Sequence, residues 1–253
     1  MKRTIVVCSY NRPIQEPTRR AILKLIEMGA GYMPQSGLAD VALARNVALT
    51  GACAGLRTTN TARKKHLEEL GLTASEIRER YEAEKRDMVL MVDDDMLFEP
   101  EQAQELIDHA RATGVAASAI YATLASAIAG MRSPDSPEGE RQRWYTGLGL
   151  LAVPAEALFQ LERDSERFEL RIGTQTAFTQ SAMNAGYWMS EDFTLCKRLG
   201  GVHLLPVSVG HLKTIPIYAD EVTVARIRDS QALPADLKGP LPPITHTQAP
   251  LTP

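Results

Sequence analysis

The chain has 253 residues and a formal net charge of −3, with 44% apolar and 23% charged residues. These are values of an ordinary globular protein, and they exclude a global positive field that would attract nucleic acid or a membrane surface. The cysteines, Cys8, Cys53 and Cys196, fit no zinc or disulfide spacing, so we expect a reducing compartment. The apolar run in the first eight residues is too short for a signal peptide or a membrane span, so we expect a cytoplasmic protein.

The first part of the chain predicts alternating strands and helices. Thr4 to Cys8 is a β-branched run typical of a strand, and the polar loop Ser9 to Pro13 follows it. Apolar residues at helical spacing predict a helix from Pro17 to Met28, which ends at Gly29. A second helix is predicted from Asp40, a suitable N-cap residue, to Ala54.

Residues 57 to 86 are dense in charge and predict a helical arm inserted into the domain. Thr73 to Glu76 has the form of a capping box, which indicates the start of a charged helix that runs through Lys85. A segment of this composition is usually a solvated spacer. The functional alternative is a lid or an acceptor-binding arm.

Three consecutive carboxylates follow a predicted buried strand. Met88 to Val92 is short and apolar, as strands of parallel sheets are, and Asp93, Asp94 and Asp95 come directly after it. Ligands of open α/β sheets bind beyond the carboxyl ends of the strands. Carboxylates at that edge can hold a divalent cation against a phosphate, although a solvated acidic turn is the simpler alternative.

The second half of the chain continues the alternation and ends in a proline-rich tail. Glycine inside a strand often marks a position that a ligand or another backbone approaches closely, and we expect such an approach at Gly147 and Gly149. The fold class we predict is α/β: one Rossmann-like domain over residues 1–230 with a mostly parallel central sheet flanked by helices, then a tail over residues 231–253 that cannot form a core. The elements expected in this half are helices at Glu101–Arg111 and Ser190–Leu199, and strands at Val115–Tyr121, Tyr145–Val153 and Val202–Val209.

Five patches along the chain together resemble the GT-A glycosyltransferases, notably the small soluble enzymes of bacteriophages and large viruses. The resemblance covers about residues 3 to 215, and it implies transfer of a sugar from a nucleotide-sugar donor, with UDP-hexose expected. The patches are Ser9 to Pro13, Leu43 to Asn46, Asp93 to Asp95, Thr146 to Gly149, and Ser190 to Asp192 with the later His211.

The same resemblance implies a donor site and a metal site. Asp93 and Asp95 match the Asp-x-Asp pair that holds Mn²⁺ or Mg²⁺ against the donor diphosphate, and His211 matches a late histidine that completes the metal site. A bound cation would stabilise the charge that the leaving diphosphate gains. A capping or core role is the alternative for His211, and ordinary helix or surface roles are the alternatives for the others. The expected donor-binding residues are Ser9, Tyr10, Asn11, Arg12, Asp40, Arg45, Asn46, Asp93, Asp94, Gly147, Gly149 and Lys213.

Glu191 and Asp192 match the acidic pair that opens a helix beneath the acceptor in this family. In inverting relatives one of the two is the general base, and Asp192 is the residue we expect to have that role. The alternative is charge that complements the helix dipole. The late histidine is commoner among retaining relatives, so the stereochemistry stays open. The Gln-x-x-Arg-Trp signature of processive synthases is absent from the sequence.

Basic side chains suggest a nucleic-acid acceptor. They could position phosphates while neighbouring aromatic side chains stack on a base. The hypothesis is transfer to 5-hydroxymethylpyrimidine in phage DNA, with a surface glycan or a small molecule as the alternative that the modest net charge favours. One group is Arg57, Arg63, Lys64 and Lys65; the other is Arg132, Arg141 and Arg143 near Trp144 and Tyr145.

Two other classes of protein are compatible with paired aspartates at the edge of a sheet. A nucleotidyltransferase usually has a glycine-rich loop after its first strand, whereas the loop here, Ser9 to Arg12, contains no glycine. Its product would be pyrophosphate rather than a nucleoside diphosphate. A non-catalytic module that binds sugar nucleotides or nucleic acid is the second alternative, and it would be unaffected by Asp192→Asn.

Overall fold

We describe the fold from a computed structural model of the chain. The structure describes residues 1–10, 14–36, 38, 40–123, 130–134, 136–184, 187–212, 216–217, 221, 224–225 and 228, without the side chains at 9, 10, 36, 183, 184, 187, 216 and 217. Asn11, Arg12, Lys213 and the predicted tail lie outside the described residues.

Helices and strands alternate along the described chain. The helices are α1 (Glu16–Glu27), α2 (Val41–Glu69), α3 (Ala74–Glu84), α4 (Pro100–Thr113), α5 (Ala155–Arg163) and α6 (Glu191–Arg198). The strands are β1 (Thr4–Tyr10), β2 (Gly31–Ser36), β3 (Met88–Asp93), β4 (Met96–Leu97), β5 (Ala117–Ile120), β6 (Gly130–Arg132), β7 (Arg143–Thr146), β8 (Leu150–Pro154), β9 (Arg167–Leu170), β10 (Gly173–Thr176), β11 (Ala182–Asn184), β12 (Tyr187–Met189), β13 (Val202–Ser208), β14 (Gly210–Leu212) and β15 (Pro216–Ile217).

A central sheet with the strand order β2-β1-β3-β8-β5-β13-β7-β6 organises the domain. The strands β1, β2 and β3 pair in parallel, as do β5 and β13, while β8 and β7 run against their neighbours. Six of the eight strands described in this sheet therefore run in one direction, which confirms the predicted α/β class with a mostly parallel sheet.

Helices cover both faces of the sheet and bury its two sets of alternating side chains. One core joins side chains of α2, α5 and α6 with one face of the strands, as Leu49, Leu158 and Leu195 do. The other core joins α1 and α4 with the opposite face, as Leu25 and Leu106 do. This two-sided burial is why β3 is a continuous apolar run rather than an alternating one.

The carboxyl ends of β1, β3, β5 and β13 meet at one edge of the sheet and place the predicted patches there. Ser9, near the end of β1, pairs with Asp93 at the end of β3. The small strands β4 and β14 then pair in antiparallel fashion, with His211 opposite Met96. The Leu212 amide donates to the carbonyl oxygen of Asp95 at 2.7 Å, which fixes His211 beside the acidic strand end.

The predicted end of the second helix at Ala54 is wrong, because α2 runs without a break to Glu69. Residues 57 to 69 contain no proline or glycine, and their long charged side chains are good helix formers. The arm therefore consists of the second half of α2 together with α3, whose predicted capping box at Thr73 and Glu76 is confirmed. Leu67 is 1% exposed but belongs to neither of the two cores, and α3 packs against α2, so the two helices of the arm pack on each other.

The single strand predicted from Tyr145 to Val153 is wrong as well. It is two strands, β7 and β8, which lie apart in the sheet and are joined through Gly147 to Gly149. The sequence prediction also missed β2, α5 and the hairpins β9–β10 and β11–β12. Among the helices that the structure describes, none combines the length and the apolar character needed to cross a membrane.

Candidate functional site

Arg45 is the centre of the candidate site, and its position joins three elements. Its Nη2 donates to both carboxylate oxygens of Asp93, at 3.0 and 3.1 Å. Its Nη1 forms an ion pair with Asp192 and lies 3.5 Å from Glu191. The α2 helix, the end of β3 and the start of α6 are thus tied together by one guanidinium whose side chain is only 4% exposed.

The charges in this cluster do not balance. Three carboxylates surround one guanidinium, so the ionised cluster carries more negative than positive charge. Burial of Arg45 opposes its charge by desolvation, but the attraction of Asp93 and Asp192 outweighs that cost and raises its pKa above the ordinary value. The guanidinium is therefore permanently charged, and the excess negative charge among the described side chains favours protonation of a carboxylate or binding of a cation.

Among the three carboxylates of the cluster, Asp192 has a raised pKa. Ser190 caps α6 by accepting a hydrogen bond from the Phe193 amide, so that Asp192 lies in the first turn. Desolvation by burial raises the pKa of Asp192 to about 6, with Asp93 and Glu191 adding to the rise. Arg45 and a hydrogen bond from the Leu148 amide oppose it. A carboxyl group with this pKa can exist in either protonation state near neutral pH.

Tyr121, which the sequence did not indicate as a site residue, lies against the Gly147–Gly149 segment next to the Arg45 cluster. Its hydroxyl accepts a hydrogen bond from the Gly149 amide at 3.0 Å, and burial raises its pKa well above the ordinary value. A Cβ atom on Gly147 would lie 2.1 Å from that hydroxyl, and one on Gly149 would lie 2.7 Å from the sulfur of Met96. The close approach that the two glycines indicated is therefore made by protein side chains, and their role in donor binding stays a prediction.

Asp95 and His211 form a second polar pair at the same edge. The His211 Nε2 atom lies 3.3 Å from Asp95 Oδ1, and Nδ1 lies 3.3 Å from the carbonyl oxygen of Ala122. When Nδ1 donates its hydrogen to that carbonyl, Nε2 faces the carboxylate either as the second N–H of a charged imidazole or with a bare lone pair. In the first case the two side chains form an ordinary ion pair, and in the second they offer one nitrogen and one oxygen ligand to a cation between them.

Asp93 does not join this pair, because both of its oxygens face Arg45. Within the ranges that the structure describes, no group of three or more His, Cys, Asp or Glu side chains has a spacing suited to a metal ion. The predicted set of Asp93, Asp95 and His211 is thus brought together only in part. A metal at this site would need further ligands from water or from a bound diphosphate.

Asn46 and Asp40 have structural contacts that account for their positions. The Asn46 amide donates to the carbonyl oxygen of Thr179 at 2.9 Å, and its Oδ1 accepts from the Thr179 amide at 2.7 Å. Asp40 is the N-cap of α2, as predicted, and accepts from the Leu43 amide at 2.6 Å. Asp94 is buried, and its backbone carbonyl oxygen accepts a hydrogen bond from the Gln15 amide at 3.0 Å.

The remaining predicted donor residues lie at the edge of what the structure describes. Ser9 and Tyr10 end β1 beside Asp93, as expected, but their side chains are not described. Asn11, Arg12 and Lys213 lie outside the described residues. Their predicted roles stay predictions.

Several of the basic side chains that suggested a nucleic-acid acceptor already have acidic partners. Arg57 forms an ion pair with Glu162, and Arg63 forms one with Glu84. Arg143 donates to Glu140 at 2.8 Å. These side chains are therefore less available to phosphates than the sequence suggested.

No protein-family model matches the chain, and no curated protein matches it in sequence. Among solved structures, the chain is similar to the crystal structure of A197 from STIV, with 16% sequence identity and a TM-score of 0.45. The match covers 84% of this chain and 86% of that one.

Proposed function

We propose that this protein is a glycosyltransferase of the GT-A type, which moves a sugar from a nucleotide-sugar donor, with UDP-hexose expected, to an acceptor hydroxyl. The observation that carries the proposal is Asp192, a carboxylate with a pKa of about 6 held by Arg45 beside the acidic end of β3. A general base works best when its pKa lies near the working pH. Asp192 meets that requirement at the edge where α/β sheets bind ligands.

In the proposed reaction the acceptor oxygen bonds to the anomeric carbon of the donor sugar. The bond from that carbon to the diphosphate oxygen breaks, and its electron pair leaves with the nucleoside diphosphate. The acceptor proton passes to Asp192. Arg45 keeps Asp192 in place and holds Asp93 at the donor side, so it is a positioning residue. A base on the acceptor side supports direct displacement with inversion.

Asp95 and His211 are the residues that would hold a divalent cation, Mn²⁺ or Mg²⁺. A histidine nitrogen with a carboxylate oxygen suits Mn²⁺ somewhat better than an oxygen-only site does. When bound, such a cation would neutralise the diphosphate as it leaves. Asp93, already bonded to Arg45, would then contact the donor sugar nucleotide rather than the metal.

An acceptor without phosphates has more support than DNA. The acceptor side of the proposed site contains Glu191 and Asp192, which would repel a phosphate backbone. Transfer to 5-hydroxymethylpyrimidine in DNA would need basic side chains near that side, and several of the predicted ones are engaged with acidic partners. A surface glycan or a small hydroxylated molecule is therefore the acceptor class we propose.

Thermal unfolding with UDP, with and without Mn²⁺, tests the donor site. A ligand present at about a hundred times its dissociation constant should stabilise the protein by about 2.7 kcal/mol, or about 5 to 10 °C in a domain of this size. Asp95→Asn and His211→Gln should abolish the part of the shift that needs metal. Asp108→Asn, which makes the same change at an exposed carboxylate of α4, is the matched control and should keep the full shift. A shift of equal size with and without Mn²⁺ would refute the metal site, and no shift with any nucleoside diphosphate would refute the donor site.

A further inference from the structure

Trp188 is exposed although it lies only four positions before the proposed general base in the chain. Its side chain is 69% exposed, whereas Trp144, the only other tryptophan of the chain, is fully buried. Scattered apolar side chains on a surface are normal, so exposure alone indicates nothing. An exposed indole on the segment that leads into the candidate site is different, because aromatic faces are common contacts for ring-shaped ligands.

The position of Trp188 follows from its hairpin. It pairs with Met183 across β11 and β12, and neighbouring residues of a strand point to opposite faces. Met189 packs against the core, so Trp188 faces away from it. The chain then enters the Ser190 cap and the first turn of α6. Trp188 and Asp192 are four positions apart in the chain, which limits their Cα separation to about 14 Å.

The other end of the hairpin also meets the start of α6. Ser181, just before β11, lies 3.5 Å from Glu191 through its hydroxyl. The hairpin that carries the indole therefore meets a surface that offers a hydroxyl and carboxylate oxygens. A sugar ring matches both features, since it has an apolar C–H face for the indole and hydroxyl groups that donate to carboxylates. A phosphate on the acceptor would meet the carboxylates of Glu191 and Asp192 without the divalent cation proposed for the donor diphosphate.

We propose that Trp188 is the stacking platform of an acceptor subsite, and that the acceptor presents a neutral sugar ring to it. The inference rests on the proposed function, because it assigns the acceptor side of the same site. Stacking on Trp188 would place a ring hydroxyl within reach of Asp192, the group that takes its proton. Trp188 is then the residue that determines which acceptors bind.

Fluorescence can observe this subsite directly, because the two tryptophans differ so strongly in exposure. Acrylamide should quench Trp188 and leave Trp144 largely unquenched. With UDP and Mn²⁺ present, we expect maltose or cellobiose to protect Trp188 from quenching and to shift its emission to the blue. A lack of protection by both sugars would overturn the proposal. Protection by hydroxymethylated duplex DNA but not by either sugar would overturn the neutral-ring acceptor.

Kinetics provide the second readout. Trp188→Ala should raise the KM for the protecting sugar about tenfold, or about 1.4 kcal/mol, without changing the KM for UDP-glucose. Trp188→Phe keeps an aromatic ring and should raise the KM for the sugar by a smaller factor. Ile172→Ala removes another exposed apolar side chain, 66% exposed near the β9–β10 turn, and should change neither constant. An unchanged sugar KM in Trp188→Ala would overturn the proposal, whereas absent UDP binding in the wild type would refute the proposed function instead.

Discussion

The raised pKa of Asp192 predicts that its charge opposes folding at neutral pH. A group whose folded-state pKa lies above its unfolded value stabilises the protein below the unfolded pKa, and this stability is lost as the pH rises through the folded pKa. For Asp192 the window runs from 3.8 to about 6. The full difference corresponds to about 3 kcal/mol. Because the side chain is 23% exposed, solvent screening reduces the expected effect to about 2 kcal/mol.

Asp192→Asn removes the titrating group and keeps the shape of the side chain. Urea unfolding of wild type and variant between pH 4 and pH 7.5 would give the difference in their free energies of unfolding at each pH. We expect the variant to gain about 2 kcal/mol relative to wild type as the pH rises through this window. Any constant cost of a weaker contact with Arg45 shifts the curve without changing its slope. A difference that is flat with pH, or that falls, would refute the assignment of the excess charge to Asp192.

Three further predictions concern buried groups. Arg45→Met should lower the free energy of unfolding by about 3 kcal/mol in urea at pH 7, because it leaves the partly buried carboxylates unpaired. Arg45→Lys keeps the charge and should lower it by less. A Met variant as stable as the wild type would contradict the conclusion that Arg45 holds the carboxylates together. Burial, followed by the neighbouring His109, lowers the pKa of His203 from 6.5 to about 4, so the stability due to neutral His203 should be present above pH 6.5 and lost as the pH falls to about 4. In His203→Gln the free energy of unfolding should therefore fall less between pH 6.5 and pH 4 than in the wild type. An equal fall in both proteins would contradict the assignment to His203. Gly147→Ala should cost about 1 to 3 kcal/mol by displacing the Tyr121 hydroxyl. Adding Tyr121→Phe should recover part of that loss, and strict additivity in the double-mutant cycle would argue against the contact.

The fold and the location of the site follow largely from local sequence patterns. The buried run that ends at Asp93 and the capped helix start at Ser190 are visible without a structure, because strand periodicity and capping are short-range signals. The extent of α2 is not visible in the same way. The charged residues of its second half are compatible both with a continuous helix and with a separate arm, since charge density does not by itself end a helix.

The organisation of the site depends on contacts between residues far apart in the chain. The sequence neighbours of Arg45 are those of a surface arginine, and only the packing of α2 on β1 and β2 brings its side chain between the carboxylates at the end of β3 and the start of α6. Tyr121 ends a predicted strand and has no pattern that distinguishes an ordinary core tyrosine from one in contact with the candidate site. Asn46 was expected near the donor, which stays a prediction, and the bonds between its side-chain amide and the backbone of Thr179 have no signal in the sequence. No local signal separates these outcomes.

The most direct test of the central claim is release of UDP from UDP-glucose by wild type and by Asp192→Asn, measured with Mn²⁺ and with maltose or cellobiose as acceptor. UDP binding should be measured in parallel for both proteins. We expect the wild type to release UDP and the variant to lose about a hundredfold or more in rate while its UDP affinity is unchanged. Release of UDP by the variant at the wild-type rate, or production of pyrophosphate by either protein, would contradict the account.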